Sequence, residues 1–264
     1  MPDIVQLLLI TLGASLAMVV ALWLVSIVLH DVSIIDMAFA AMIALLIAVA
    51  FVFTQAQGAM ALLLLALVTI WAVRLSVYLV WRNWGAGEDP RYTKLRGWVD
   101  PGWPFHWLSL RKVFLLQGAV IWVLTLPQQI AMATGDSVSL ELVAGLGSVL
   151  WLTGFVFESV GDFQLARFKA DADNRGKILD SGLWRYTRHP NYFGELLQWW
   201  GLFLIAVQAP WAWLGVIGPL LYSWLVIRVT GQATLDKKMS REKPDYADYM
   251  RRTSGLVPRP PLKH

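Results

Sequence analysis

Apolar residues run in long blocks along this chain, and the polar ones gather between them. Seven blocks stand out, at 4–29, 37–53, 60–81, 113–131, 140–163, 193–207 and 211–227. Crossing a hydrocarbon layer of roughly 30 Å takes about 20 helical residues. Each block therefore predicts a transmembrane helix, with the second and sixth short and open to tilting or partial re-entry. A backbone in lipid has to satisfy its own hydrogen bonds, which favours helices for runs of this kind. The expected fold is all-α, a polytopic membrane protein with seven transmembrane helices.

Charge placement orients the spans. Apart from Arg74, every Lys and Arg falls within 82–112, within 167–188 or from 228 onward, and the connectors 54–59, 132–139 and 208–210 carry none. Seven spans with the N-terminus outside put all three basic stretches, and the C-terminus, on one side. The positive-inside rule makes that side the cytoplasm. The first block lacks a basic stretch before it and is long enough to span, so no cleavable signal peptide is expected.

Composition agrees. The 264 residues are 57% hydrophobic and only 15% charged, with a mean hydropathy of +0.56. That is more apolar surface than a soluble domain of this length hides. Fifteen tryptophans suit the aromatic belts at the two membrane interfaces. The absence of cysteine excludes disulfides, thiolate nucleophiles and Cys-ligated metal sites, and the four histidines show no ligand spacing, so no metal is expected. The net charge of +4 reflects topology before partners, and nothing points to nucleic acid.

Against this background one stretch is dense in chemistry, Gly182-Leu-Trp-Arg-Tyr-Thr-Arg-His-Pro-Asn-Tyr-Phe-Gly-Glu195. Pro190 fixes its own φ and keeps His189 out of the helical region, which predicts a helix starting there. Asn191 and Glu195, four apart, then share a face. Asn191 and Tyr192 fall in a first turn, where free N–H groups and the dipole favour an anion, and Arg185, Arg188 and His189 add cations. A phosphate-bearing ligand fits this set; a juxtamembrane basic loop that merely orients the protein is the plainer reading. Upstream, Glu158 and Asp162 share a helix face, with Gln164, Arg167 and Lys169 following. They suit ribose hydroxyls and phosphates, or are ordinary boundary charges. The turn 171–182 contains Asn174-Arg-Gly-Lys177.

Elsewhere, Asp36 opens the second block. It is either a helix N-cap or a partly desolvated acid. Arg74 sits inside the third block, on one stripe with Trp71 and Tyr78, and Asp36 is a candidate counter-ion. Gln117 is a buried amide without assignable chemistry. Gly145 and Gly147 mark close helix packing.

The stretch 182–195, with Gly161-Asp-Phe-Gln164 upstream and Asp-Tyr-Ala-Asp-Tyr249 downstream, resembles the C-terminal region of the steroid 5α-reductase family, and more narrowly its bacterial DUF1295 branch. The loop Arg82-Asn…Glu88-Asp-Pro-Arg-Tyr92 and the acid at 36 belong to the same resemblance. The Arg-His-Pro-x-Tyr-x-Gly element is shared with sterol reductases and with isoprenylcysteine methyltransferases. The resemblance implies an integral-membrane, NADPH-dependent reductase of 3-oxo-Δ4-steroids or similar enone lipids. It would be a single domain over 1–264, with substrate-side spans in 1–112 and cofactor-side spans and tail in 113–264, in the cell inner membrane with its cofactor site facing the cytoplasm. By similarity Asp162, Asn191 and Glu195, with Tyr192 beside them, would contact the nicotinamide and ribose. Arg167, Lys169, Asn174, Arg175, Arg188 and His189 would hold phosphates and the adenosine end, and Asp236 and Tyr246 match tail positions. Asp36 matches the acid that meets the substrate ketone. Trp71 stands where the eukaryotic enzymes carry a tyrosine, and since an indole cannot release its proton, the acid role rests on Asp36. The alternative implied by the shared element is an S-adenosylmethionine-dependent isoprenoid or lipid methyltransferase.

Overall fold

The computed structural model describes residues 3–229 and 231–262. Among them there is helix and no strand beyond an isolated bridge between Thr187 and Ser254. In order the helices are α1 Ile4–Leu29, α2 Ile34–Thr54, α3 Ala59–Asn83, α4 Pro90–Arg96, α5 Trp103–Ser109, α6 Leu115–Leu124, α7 Leu126–Thr134, α8 Leu142–Ala170, α9 Pro190–Ala206, α10 Ile217–Trp224, α11 Gln232–Glu242 and α12 Tyr246–Arg252. Six helical runs among the described residues are long and apolar enough to cross a membrane, namely α1, α2, α3, Trp103–Leu124, α8 and Ala212–Glu242, the last of them apolar only ahead of the polar helix α11. The protein is a membrane protein, and exposed side chains such as Val28, Val52, Leu142 and Val149 present the apolar surface that lipid covers. The block 193–207 falls on α9, which has 17 residues, about 25 Å at 1.5 Å per residue.

Two boundaries differ from the hydrophobic blocks. The fourth span begins at Trp103, ten residues ahead of the expected start at 113. Gly102 precedes it at φ 86, and Pro104 occupies the first turn, where its missing N–H costs nothing. Leu110–Phe114 continues this run as a π-helical turn. The same run ends at Leu124, ahead of the expected end at 131. Thr125 leaves the helical region at φ −89, ψ 1, and the chain restarts as α7 with Pro127 in its first turn. At the second span, α2 starts at Ile34 with Ser33 as N-cap, so Asp36 lies in the first turn and is not the cap.

The chain forms two compact units, 1–141 with 206–218, and 142–205 with 219–264. In the first, α1 packs on α2, α6 and α7. Thr11 donates to Gln129 Oε1 at 2.5 Å, Gln129 donates to Thr125 at 2.8 Å, and Ser15 donates to the Gly118 carbonyl at 3.0 Å. These intramembrane hydrogen bonds fix the rotation of α1 against its neighbours.

In the second unit, α8 and α9 meet backbone to backbone. A Cβ at Gly147 would strike the Gly201 carbonyl, one at Gly154 the Gly194 carbonyl, and one at Gly161 would crowd Pro190 and the Asn191 nitrogen. The three glycines of α8 recur every seven residues, and Gly194 and Gly201 repeat the spacing on α9. A heptad stripe keeps one seam turned to one neighbour, and small residues let the helices touch. Gly145, by contrast, has nothing within 4 Å of its Cβ position.

Candidate active site

Polar groups gather at two places, one in each unit. In the first unit the centre is Asp36. Its Oδ1 accepts from Tyr92 Oη at 2.9 Å and from Gln117 Nε2 at 3.1 Å, and its Oδ2 accepts from Arg91 Nη2 at 2.6 Å. Arg91 and Tyr92 come from α4, which Asp89 caps by accepting from the Arg91 nitrogen at 2.8 Å. The loop before α4 is strapped across the α1–α2 turn. Glu88 accepts from the Val32 nitrogen at 2.9 Å and pairs with Arg96 at 2.7 Å, and the Asp89 nitrogen donates to Ser33 Oγ at 2.6 Å. Burial alone would raise the Glu88 carboxyl; the Arg96 and Val32 hydrogen bonds outweigh it and hold it low. Burial pushes the Tyr92 phenol up, and the charge of Asp36 adds to that. Asp36, Arg91 and the loop line a cleft of about 740 Å³.

Of the two residues expected to act on a substrate, Asp36 thus lies at a cleft. Trp71 is on α3 with 2% of its surface exposed, and Arg74 lies over the Tyr78 ring at 5.3 Å. The partners of Asp36 lie 56 and 81 residues along the chain, beyond the reach of any local pattern. Arg91 and Tyr92 were visible only as a charged loop, and Gln117 only as a buried amide. Its Oε1 is buried without a partner.

In the second unit the glycine seam brings the polar face of α8 against that of α9. Asn191 Nδ2 donates to Asp162 Oδ1 at 3.2 Å, and Gln198 Nε2 donates to Glu158 Oε2 at 2.6 Å. Glu195 accepts from the Tyr222 hydroxyl of α10. Glu158 and Asp162 are 3% and 5% exposed. The Asn191 and Gln198 carbonyls are buried without a partner, an arrangement that costs free energy unless a donor reaches them. Gln198 follows Asn191 by seven and Glu195 by three, so the helical spacing that joined those two would also have found it.

α9 starts at Pro190, as the sequence implies, and the segment before it is clamped by the tail. Arg188 grips Asp236 through Nη2 at 2.7 Å and Nε at 3.2 Å, and its Nη1 donates to the carbonyls of Thr253 at 2.5 Å and Met250 at 3.3 Å. His189 Nε2 lies 3.1 Å from Asp236 Oδ1, and Tyr246 donates to the same oxygen at 2.6 Å. The Arg188 nitrogen donates to the Ser254 carbonyl at 2.9 Å. The His189 ring stacks on Tyr192 with centroids 5.4 Å apart. Burial would raise Asp236; the hydrogen bonds from His189, Arg188 and Tyr246 prevail and hold it far below the usual carboxylate range. Burial and the Asp236 contact push the Tyr246 phenol up.

The expected phosphate ligands therefore divide. Arg188, His189, Asp236 and Tyr246 come together as each other's partners, with the Arg188 donors committed inside the protein. Arg167, Lys169 and Arg175 are exposed at and beyond the end of α8, which runs to Ala170 and carries the first two as helical residues. Asn174 donates to the Phe168 carbonyl at 3.1 Å and so closes that helix end.

Comparison with known proteins identifies relatives of this chain. A family model described as a protein of unknown function (DUF1295) matches residues 22–253. An uncharacterized protein of Schizosaccharomyces pombe is 27% identical over 221 residues, 72% of this chain and 61% of its own length. The 3-oxo-5-alpha-steroid 4-dehydrogenase 1 of Mus musculus is 37% identical over 71 residues, 27% of this chain and 26% of its own. A steroid 5-alpha-reductase of Gossypium hirsutum is 29% identical over 100 residues, 38% of this chain and 37% of its own. The chain thus spans less than two thirds of the length of these curated relatives. No solved structure matches it.

Proposed function

This chain belongs to the DUF1295 family and is homologous to the steroid 5-alpha-reductases, and on that premise we propose that it is an NADPH-dependent reductase of enone lipids, 3-oxo-Δ4-steroids being the reference substrate. The observation that carries the proposal is the buried polar seam of α8 and α9. Beside the buried carboxylates of Glu158 and Asp162, two amide carbonyls, on Asn191 and Gln198, are buried without a partner, and a ligand's donors would complete them. A nicotinamide carboxamide and a ribose bring N–H and O–H donors of that kind.

In this reading Asp162, Asn191 and Glu195 hold the nicotinamide and ribose, and Tyr192 flanks them. Arg167, Lys169 and Arg175, exposed and cationic, meet the phosphates. Arg188, with Asp236, His189 and Tyr246, fixes the tail against the start of α9 and so shapes the wall at the adenosine end. The cofactor when bound supplies a hydride for the β-carbon of the enone. The Asp36 cluster binds the ketone and stabilises the charge that grows on its oxygen. The site faces the cytoplasmic side of the inner membrane, and the substrate enters from lipid.

The test is binding before turnover. Detergent-purified protein is expected to bind NADPH and to oxidise it with a 3-oxo-Δ4-steroid. Asn191→Ala and Glu195→Gln are expected to lose NADPH binding while keeping the yield of folded protein. Protein that is folded yet binds no NADP(H) rules the reductase out, and binding of S-adenosylmethionine in its place would favour a methyltransferase.

A further inference from the structure

The fourth span carries two cations without a counter-charge. In Trp103–Leu124 the only Lys and Arg are Arg111 and Lys112, and there is no Asp or Glu. Both side chains are exposed, and neither meets a carboxylate or a hydrogen-bond acceptor among the described residues. Arg111 follows Trp103 by eight positions, which places it about 12 Å into the span at 1.5 Å per residue. A charge at that depth on a lipid-facing helix is costly until something of opposite sign meets it.

The surroundings suit the headgroup of a lipid. The Arg111 guanidinium lies over the Trp107 ring, 5.2 Å from its centroid, so the side chain reaches back toward the Trp103 end of the span, as long cationic side chains do near a membrane boundary. Trp103 and Trp107 are both exposed, and indoles favour the boundary between headgroups and acyl chains. Trp23 of α1 braces this shelf. Its ring meets Trp103 edge-on at 6.2 Å, and its N–H donates to the His106 carbonyl at 3.0 Å. On the other side of the cations the surface turns apolar, where exposed Leu116 and Ala119 follow Lys112 by four and seven. Leu110–Phe114, which carries both cations, is wound as a π-helical turn, a distortion found most often at functional sites.

We propose that Arg111 and Lys112 bind the phosphate of an anionic phospholipid, with Trp103 and Trp107 flanking its headgroup and an acyl chain lying along Leu116 and Ala119. Guanidinium and ammonium both donate charge-assisted hydrogen bonds to phosphate oxygens. A zwitterionic lipid offers the same phosphate but brings a cation of its own against the pair, so the site selects net negative charge. Each cation near an anionic lipid surface contributes roughly fivefold in affinity. The ligand belongs to the membrane and takes no part in the reaction proposed above.

Native mass spectrometry of the detergent-purified full chain, mixed with dioleoyl phosphatidylglycerol and dioleoyl phosphatidylcholine, reads the preference with the acyl chains held equal. The wild type is expected to retain one phosphatidylglycerol roughly 25-fold in preference to phosphatidylcholine. Arg111→Gln/Lys112→Gln is expected to lose that preference and to bind NADPH as the wild type does. Lys237→Gln/Lys238→Gln, which removes the same charge from exposed positions of α11, is expected to keep it. Equal retention of the two lipids by the wild type overturns the proposal. So does a preference that survives the loss of Arg111 and Lys112, or one that falls equally in the α11 variant. Loss of NADPH binding with the lipid preference intact would assign the two cations to the cofactor instead. Should the double variant fail to fold, Trp107→Leu keeps both charges and is expected to weaken phosphatidylglycerol retention several-fold; retention unchanged in Trp107→Leu overturns the site.

Discussion

Asp236 shows how one side chain organises a segment distant in sequence. It takes two hydrogen bonds from Arg188, one from Tyr246 and a contact with His189, so α11 and α12 hang on it. It lies in α11, a polar helix bearing Lys237, Lys238 and Arg241, beyond the last apolar block. Removing one member of a buried, hydrogen-bonded ion pair leaves the other unpaired and costs about 3 kcal/mol. Asp236→Ala is therefore expected to expose the tail to limited proteolysis while α1–α7 stay protected. The pH dependence has a definite sign. A carboxyl whose folded pKa is lowered from 3.8 contributes stability that is complete above that value and lost as pH falls below it. Acidification below about pH 4 is expected to release the tail in the wild type. In Asp236→Asn the tail's proteolytic sensitivity is expected to show a much weaker response to acid.

Among the elements, the α8–α9 seam is the one on which the candidate cofactor site depends. Gly154 and Gly194 face each other with no room for a Cβ, and the same contact brings Glu158 opposite Gln198 at 2.6 Å. Gly154→Ala adds a methyl against backbone, which cannot swing away as a side chain would. Overpacking of this kind costs about 1–3 kcal/mol. The variant is expected to unfold at a lower temperature in detergent and to bind NADPH more weakly. Gly145→Ala, whose methyl meets open space, is expected to leave both unchanged. Equal effects from the two substitutions would show that the seam is not what matters.

For the whole molecule the lack of cysteine makes sidedness measurable. Single cysteines placed in 82–112, in 171–182 and after 231 are expected to react with a membrane-impermeant thiol reagent only from the cytoplasmic side. Cysteines at 55–58 and 135–138 are expected to react only from outside. If α9, with its 17 residues, does not cross, the tail will label from the opposite side to 171–182.

Much of this protein is written in one dimension. An apolar run long enough to span has to be a helix because lipid offers the backbone no partner, so membrane class and helical fold follow from composition and block length alone. The start of α9 at Pro190 and the shared face of Asn191 and Glu195 follow equally locally, from a fixed φ and a 3.6-residue turn. What the sequence left open are pairings between groups far apart in the chain. That Asp36 meets Tyr92 and Gln117, and that Arg188 closes on Asp236 and not on open solvent, depends on which helices touch and at what rotation. Those are set by side-chain volume, down to the missing Cβ of Gly154, and not by any local preference. The early start of the fourth span has the same kind of cause: a proline breaks a helix or begins one according to what precedes it, and after Gly102 at φ 86 Pro104 is a beginning.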